Sequence, residues 1–311
     1  MRNNAIATLL GLAIGDAVGA TLEFKTRDTL PPVYDMEGGG VHELNPGEWT
    51  DDTSMALCLG YSLLEKGFDP DDQLARYWKW YQHGYCSSKD YCFDIGITTR
   101  EALVKYRQRG LVKAIYSENS AGNGALMRLA PISIYYRCPN DNVDSLKALI
   151  SYAKQSSLTT HNNEMSTDAC AYFSLLLNKA INNTPKAQII ETSEAEAMML
   201  KLQSKPIRDI MNNKRFLTAE RRDIKSSGFV VHSLEAALWS FYQTDNFKDA
   251  ILLATNLADD SDTVAAICGM IAGAHYGIDN IPPDWLRKLY DYKKILTLSY
   301  DLHKKTETMT S

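Results

Sequence analysis

Apolar residues in this chain recur at intervals of three and four instead of two. Ile6, Leu9, Leu10, Ala13, Ile14 and Ala17 keep the spacing of one helix face. The same stripe follows Thr50 (Ala56, Leu59, Gly60, Leu63, Leu64) and Asp262 (Val264, Ile267, Cys268, Ile271, Ala272, His275). Val230, Leu234, Leu238 and Phe241 mark a further helix, as do Ala169, Phe173, Leu176 and Leu177. Gly269 and Gly273 stand beside the Asp262 stripe, where the lack of a side chain lets another helix approach closely. Alternating patterns with hairpin turns are nearly absent, so the spacing predicts an all-α protein. Loops are marked by Pro31-Pro32, Gly38-Gly39-Gly40, Asn45-Pro46-Gly47 and Ala121-Gly122-Asn123-Gly124. Residues 182–227 are more polar yet rich in helix formers, which suggests short exposed helices over a disordered linker. No repeat or composition break divides the chain. We read one domain over residues 1–311, with a disordered tail over roughly the last eight residues.

Composition narrows the class. With 45% hydrophobic and 23% charged residues among 311, the chain resembles an ordinary soluble globular protein. A net charge of −5 and the lack of any Lys/Arg run weigh against a nucleic-acid surface. The six cysteines, Cys58, Cys86, Cys92, Cys138, Cys170 and Cys268, form no CxxC pair, so neither zinc nor a disulfide framework is expected. The N-terminus imitates a secretory signal, with Arg2 before an apolar stretch and Gly19-Ala20 after it. Asp16 interrupts that stretch, and its helical stripe suits a buried core helix. A cytoplasmic location is therefore expected, and no run is read as long enough to span a membrane.

Two acidic clusters sit where helices begin: Trp49-Thr50-Asp51-Asp52-Thr53 and Asp259-Asp260-Ser261-Asp262-Thr263. One acidic helix start is usually explained by the helix dipole, with Thr50 as N-cap. Three aspartates within four residues repel one another by more than about half a dipole charge relieves. Carboxylates mixed with threonine hydroxyls are the ligands that hard divalent cations prefer. If the fold brings the two starts together, they form a binuclear metal site.

The remaining candidates are weaker one by one. Glu23 alone reads as a surface group, and Asp16 as a buried polar residue tying helices together. Gly122-Asn123-Gly124 would let backbone N–H groups turn toward an anion, although an ordinary turn is the stronger reading of these residues alone. His161 and Asp168 stand seven residues apart, as if on one helix face. Phe229, beside Gly228, reads as a core aromatic that would also suit stacking on a base. Asp94 reads as a helix cap.

Taken in order, seven segments resemble the ADP-ribosylglycohydrolase family, of the dinitrogenase reductase-activating kind. They are GLAIGDAVGATLEF (11–24), GEWTDDTSMAL (47–57), FDIGITT (93–99), GNGALMRLAP (122–131), the His161 region, SGFVVHSLEAALW (227–239) and NLADDSDTVAAICGMIAGAHYG (256–277). The resemblance implies a compact all-helical fold with two Mg²⁺ or Mn²⁺ ions in a central cleft. It makes Thr50, Asp51, Asp52, Asp260, Asp262 and Thr263 the metal ligands, and implicates Glu23 in catalysis near one metal. It places Gly122, Asn123 and Gly124 at the diphosphate or ribose, His161 near the distal ribose, and Gly228 and Phe229 at the adenosine. Asp94 joins the substrate-binding set.

The implied enzyme removes mono-ADP-ribose from a protein side chain, arginine foremost, by hydrolysis at C1″ of the distal ribose. Glu23, Asp51 or Asp52 would handle the protons. The partners are an ADP-ribosylated protein and the product ADP-ribose, with no nucleic acid and no membrane, and the chain is read as a monomer. Three positions depart from the family pattern. Ala258 replaces a frequent glycine, Phe229 a tyrosine, and Ile97 an asparagine near the acceptor. The competing readings are another acceptor (serine, a nucleic-acid end, a small metabolite), a non-catalytic ADP-ribose-binding or toxin-occluding immunity protein, and a metal-dependent phosphohydrolase.

Overall fold

The computed structural model describes residues 2–139 and 142–310. Its centre is a pair of antiparallel helices, Arg2–Gly19 and Ser261–Tyr276, held at unusually close range. A Cβ added to Gly11 would fall 2.1 Å from the Gly269 carbonyl oxygen, and one on Gly15 would fall 2.0 Å from that of Ala265. Glycine and alanine therefore form the seam because the two backbones occupy the room that side chains would need. Around it pack Phe247–Thr255, Val230–Tyr242 and Glu164–Ile181 against the Ser261–Tyr276 helix, and Tyr292–Thr310 against the first helix. Asp51–Lys66 packs on both the first helix and Tyr292–Thr310.

Among the described residues there is no strand, only isolated bridges, so the all-α expectation holds. The six cysteines are free. Residues 182–227 form the short helices Lys186–Ile189, Glu194–Leu200 and Lys205–Asn213, as the composition suggests.

The first helix is the buried core helix that its stripe suggests, with residues from Ala5 to Val18 buried on every side. One expectation needs correction. The stretch Asn3–Leu22 is long and apolar enough to cross a membrane by length and composition, although almost all of it is buried among other helices. Tyr292–Thr310 forms one helix, in which Thr306 Oγ1 donates to the Ile134 carbonyl at 2.9 Å.

The seam is testable. A Cβ at position 269 would stand 2.0 Å from the Gly11 carbonyl oxygen, a rigid neighbour. Gly269→Ala is expected to cost on the order of 3 kcal/mol in urea unfolding, because the two helices must part. A change within about 0.5 kcal/mol, the usual range for a surface site, would show that the seam tolerates a methyl group.

Candidate active site

The seam sets where the acidic residues meet. Running antiparallel, it lays the end of the first helix beside the start of the Ser261 helix, and Ser261 Oγ donates to the Gly19 carbonyl at 2.7 Å. A short 3₁₀ turn, Ala20–Leu22, then delivers Glu23. There the chain pairs with the Asp259 backbone: Phe24 N–H donates to Asp259 O at 2.7 Å, and Asp259 N–H to Lys25 O at 2.9 Å. Phe24, Ala258 and Asp259 all take left-handed φ values of 57°, 57° and 62° to make this joint. Such backbone favours glycine, so Ala258 and Asp259 hold it against the preference of residues with a Cβ.

The Asp51 helix is attached through Asp16. One Asp16 oxygen accepts from Thr50 N–H and Oγ1, both at 2.9 Å, and the other from Thr53 N–H at 2.9 Å and Oγ1 at 2.6 Å. Asp16 thus ties two helices together, as its buried position in the sequence suggests. Thr50 occupies the N-cap position, but its hydroxyl does not cap its own helix. It donates to Asp16 and lies 3.1 Å from Asp262 Oδ2.

Both clusters therefore converge. Asp51, Asp52 and Asp262 each bring a carboxylate oxygen within 4.8 Å of the others. Thr263 Oγ1 donates to Asp52 Oδ2 at 3.3 Å, and Asp260 Oδ2 accepts from Asn123 Nδ2 at 2.6 Å. Burial pushes the Asp51, Asp52 and Asp262 carboxyls well above the usual range, and the neighbouring acidic charges push them further. Asp260 is raised by burial against the pull of its Asn123 hydrogen bond. Among the described residues no Lys or Arg pairs with any of the four. Asp52 Oδ1 and Asp262 Oδ1 are buried without a hydrogen-bond partner. Buried anionic oxygens left without donor or counter-charge fit hard divalent cations.

A second acidic group forms one wall. His42 Nε2 stands 3.0 Å from Glu23 Oε2 and 3.8 Å from Asp94 Oδ2. Asp94, with φ 33°, does not cap the Ile97–Arg109 helix, whose N-cap position belongs to Gly96. Burial, then the Asp51 and Glu23 charges, pushes its carboxyl up to about 10. The Glu23 contact raises the His42 pKa against the opposing effect of burial.

The opposite wall is the glycine loop. Asn123 N–H donates to Gly228 O at 3.1 Å, and Val230 N–H to Ala121 O at 3.0 Å, so Gly122 and Phe229 pair. The Asn123 side chain donates to Ser233 Oγ at 2.8 Å as well as to Asp260. The Asn123 N–H is thus spent inside the protein, as an ordinary turn would spend it. The flanking glycines serve His161, since a Cβ on Gly124 would stand 2.8 Å from its Cε1. Phe229 is half-buried and lies edge-on to His232, with centroids 4.9 Å apart. Glu23, Asp51, Asp94, Asn123, His161 and Gly228 all line one cleft of about 290 Å³. Ile97 is 68% exposed at its mouth.

Asp168 belongs elsewhere. It is buried, accepts from Ser204 N–H at 2.7 Å and pairs with Lys154 at 3.3 Å, so it anchors a loop and not the site. Two site-forming residues, His42 and Arg128, escaped the sequence reading. Arg128 is fully buried, donating to Gly124 O at 2.8 Å and to Thr160 Oγ1 at 2.8 Å. Thr160 Oγ1 in turn meets His161 Nδ1 at 2.8 Å.

Burial, then the Arg128 charge, lowers the His161 pKa to about 3. The sign follows from linkage. Above pH 6.5 neither state protonates this ring; below it the unfolded chain takes a proton that the folded one refuses. His161 therefore withdraws stability as the pH falls from 6.5 toward 3, by about 2 kcal/mol between pH 7 and 5. Urea unfolding of wild type and His161→Gln over that window should show the steeper loss in wild type.

An all-helical chain with buried paired carboxylates on a cleft floor defines a class, and comparison with known proteins identifies it. The ADP-ribosylglycohydrolase family model matches residues 1–311. The chain belongs to that family and is an ADP-ribosyl hydrolase. It is 44% identical to the ADP-ribosylarginine hydrolase Tri1 of Serratia proteamaculans, over 96% of this chain and 79% of that relative. It is 33% identical to the ADP-ribosyl-[dinitrogen reductase] glycohydrolase of Rhodospirillum rubrum, over 93% of this chain and 91% of that one. A solved structure described as an ADP-ribosylglycohydrolase-related protein complex superposes with a TM-score of 0.84, at 37% identity and 98% coverage of both chains.

Proposed function

We propose that this enzyme removes mono-ADP-ribose from a modified arginine on a protein, by hydrolysis at C1″ of the distal ribose. The observation that carries this reading is the set of buried carboxylates, two of them with partnerless oxygens, on the floor of the cleft. Two relatives, at 44% and 42% identity, are named ADP-ribosylarginine hydrolases. A mouth carrying the Glu23 carboxylate also suits a cationic guanidinium.

Thr50, Asp51, Asp52, Asp260, Asp262 and Thr263 would hold two Mg²⁺ or Mn²⁺ ions. Bound there, the ions would orient the ribose hydroxyls and offset negative charge in the site. The chain's own groups account for the rest. Glu23 lines the cleft with a carboxylate able to hold a water and take its proton as the oxygen bonds to C1″. The bond from C1″ to the guanidine nitrogen breaks, and that nitrogen receives the proton that Glu23 took from the water, which returns Glu23 to its carboxylate. The Glu23 carboxylate also sets negative charge beside the oxocarbenium-like ribose. Asn123 and His161, fixed by their neighbours, keep the opposite wall rigid.

The test is release of ADP-ribose from an arginine-ADP-ribosylated protein, with Mg²⁺ or Mn²⁺ and with EDTA, beside Asp51→Ala. Metal-dependent release that the variant abolishes is the expected result. Release only from serine-linked substrate would move the acceptor. ADP-ribose binding without turnover would make the protein an occluding partner, and AMP as product a phosphohydrolase.

A further inference from the structure

Glu23 carries the proton transfer in the reaction proposed above, yet little holds its carboxylate. Its backbone is pinned through the Phe24 and Asp259 hydrogen bonds. Among the described residues, the side chain itself meets a single ion-pairing group, His42, whose Nε2 stands 3.0 Å from Glu23 Oε2 without hydrogen-bond alignment. The same imidazole nitrogen lies 3.8 Å from Asp94. His42 therefore stands between two carboxylates that would otherwise face each other directly.

The loop that presents His42 is anchored at several points. Gly39 and Leu44 exchange two backbone hydrogen bonds, of 2.7 and 2.9 Å. Thr21 Oγ1 donates to Gly38 O at 3.0 Å, tying the loop to the turn just before Glu23. Gly40 passes so close that an added Cβ would fall 2.1 Å from the Ala20 carbonyl oxygen. Lys89 Nζ donates to the His42 carbonyl at 3.0 Å, and the Phe93 ring lies 5.3 Å from the imidazole. So much bracing around one partly exposed histidine is more than an ordinary surface turn requires.

We propose that His42 is a positioning residue for Glu23: its imidazole spans Glu23 and Asp94 and fixes the Glu23 carboxylate toward the cleft. It does not line the cleft itself, so it acts on the rate through Glu23. The proposal rests on the hydrolase reading, and the experiment separates the two.

His42→Ala should lower kcat about 10- to 100-fold, as loss of an orienting partner does elsewhere, with KM and the Kd for ADP-ribose unchanged. His42→Gln, whose amide can donate from nearly the same place, should recover part of that rate. In a Glu23→Gln background, His42→Ala should add less than about twofold, since the two residues act as one unit. Unchanged kcat, an effect on KM alone, or fully additive losses would each overturn the proposal. A readout independent of turnover is ¹⁵N-histidine NMR, in which the His42 Nε2 resonance should move on Glu23→Gln. An unmoved resonance also overturns it. An inactive wild type with a moved resonance would defeat the hydrolase reading and leave the His42–Glu23 contact standing.

Discussion

Asp52→Asn is expected to abolish ADP-ribose release, by on the order of 10³-fold, while making the metal-free protein more stable. The two effects have one cause. Asp52 is fully buried, its Oδ1 lacks a partner, and the nearest charges, Asp16, Asp260, Asp94 and Glu23, share its sign. Without a cation, asparagine of the same shape removes that repulsion, and a gain of about 1–2 kcal/mol in EDTA follows. With Mg²⁺ or Mn²⁺ the order reverses, because binding to the folded wild type alone adds stability that the variant cannot collect. The pH dependence has a definite sign. A carboxyl whose folded pKa lies above its ordinary 3.8 stabilises the fold while protonated, and that contribution is lost as the pH rises from 3.8 through the raised value. In EDTA the wild type should lose stability across that rise more steeply than Asp52→Asn. Thermal scans of both proteins with EDTA and with excess metal, from pH 4 to 8, decide the matter. A destabilised variant in EDTA would mean that Asp52 serves the fold.

Much of this site was legible because short-range patterns coincide with long-range ones. Thr50-Asp51-Asp52 and Asp260-Ser261-Asp262-Thr263 advertise a cation by composition alone. Gly11, Gly15, Gly269 and Ala265 supply the small-residue seam that brings their helices into register. What escaped depended on contacts between distant loops. His42 follows three glycines with no periodicity, so nothing local marks it as the neighbour of Glu23, nineteen positions earlier in the chain. The residues of the Asn123 loop favour an ordinary turn over an anion cradle without saying what the glycines are for. The structure shows the demand, room for the His161 ring. Asp168 shared a plausible spacing with His161, but His161 precedes the Glu164–Ile181 helix, so no common face exists. Thr50 has the identity and place of an N-cap, yet Asp16 takes its hydroxyl from across the helix pair.

Arg128 was the costliest omission, and its substitution carries the second large expected effect. Nothing in GALMRLAP marks it, whereas the structure buries it completely with no carboxylate beside it. Its charge is met by a planar set of weaker partners. These are the Gly124 carbonyl at 2.8 Å, Thr159 and Thr160 hydroxyls at 3.1 and 2.8 Å, and the Tyr77 ring at 4.8 Å. Only a flat, five-donor guanidinium satisfies all of these at once. Arg128→Lys keeps the charge but loses the fork and the stacking, leaving a buried ammonium with too few acceptors. We expect it to cost about 3 kcal/mol or more. Arg128→Met abandons the carbonyl and hydroxyls but also removes the buried charge, for a net loss of about 1–2 kcal/mol. The nominally conservative change should therefore be the more damaging one in urea unfolding. Both should raise KM, because Gly124 and His161 lose their common anchor. They should differ in acid: only methionine removes the charge that helps depress His161, so only that variant should lose stability less steeply below pH 6.5. Equal stability of the lysine variant and wild type would show that position 128 needs a cation and not the fork.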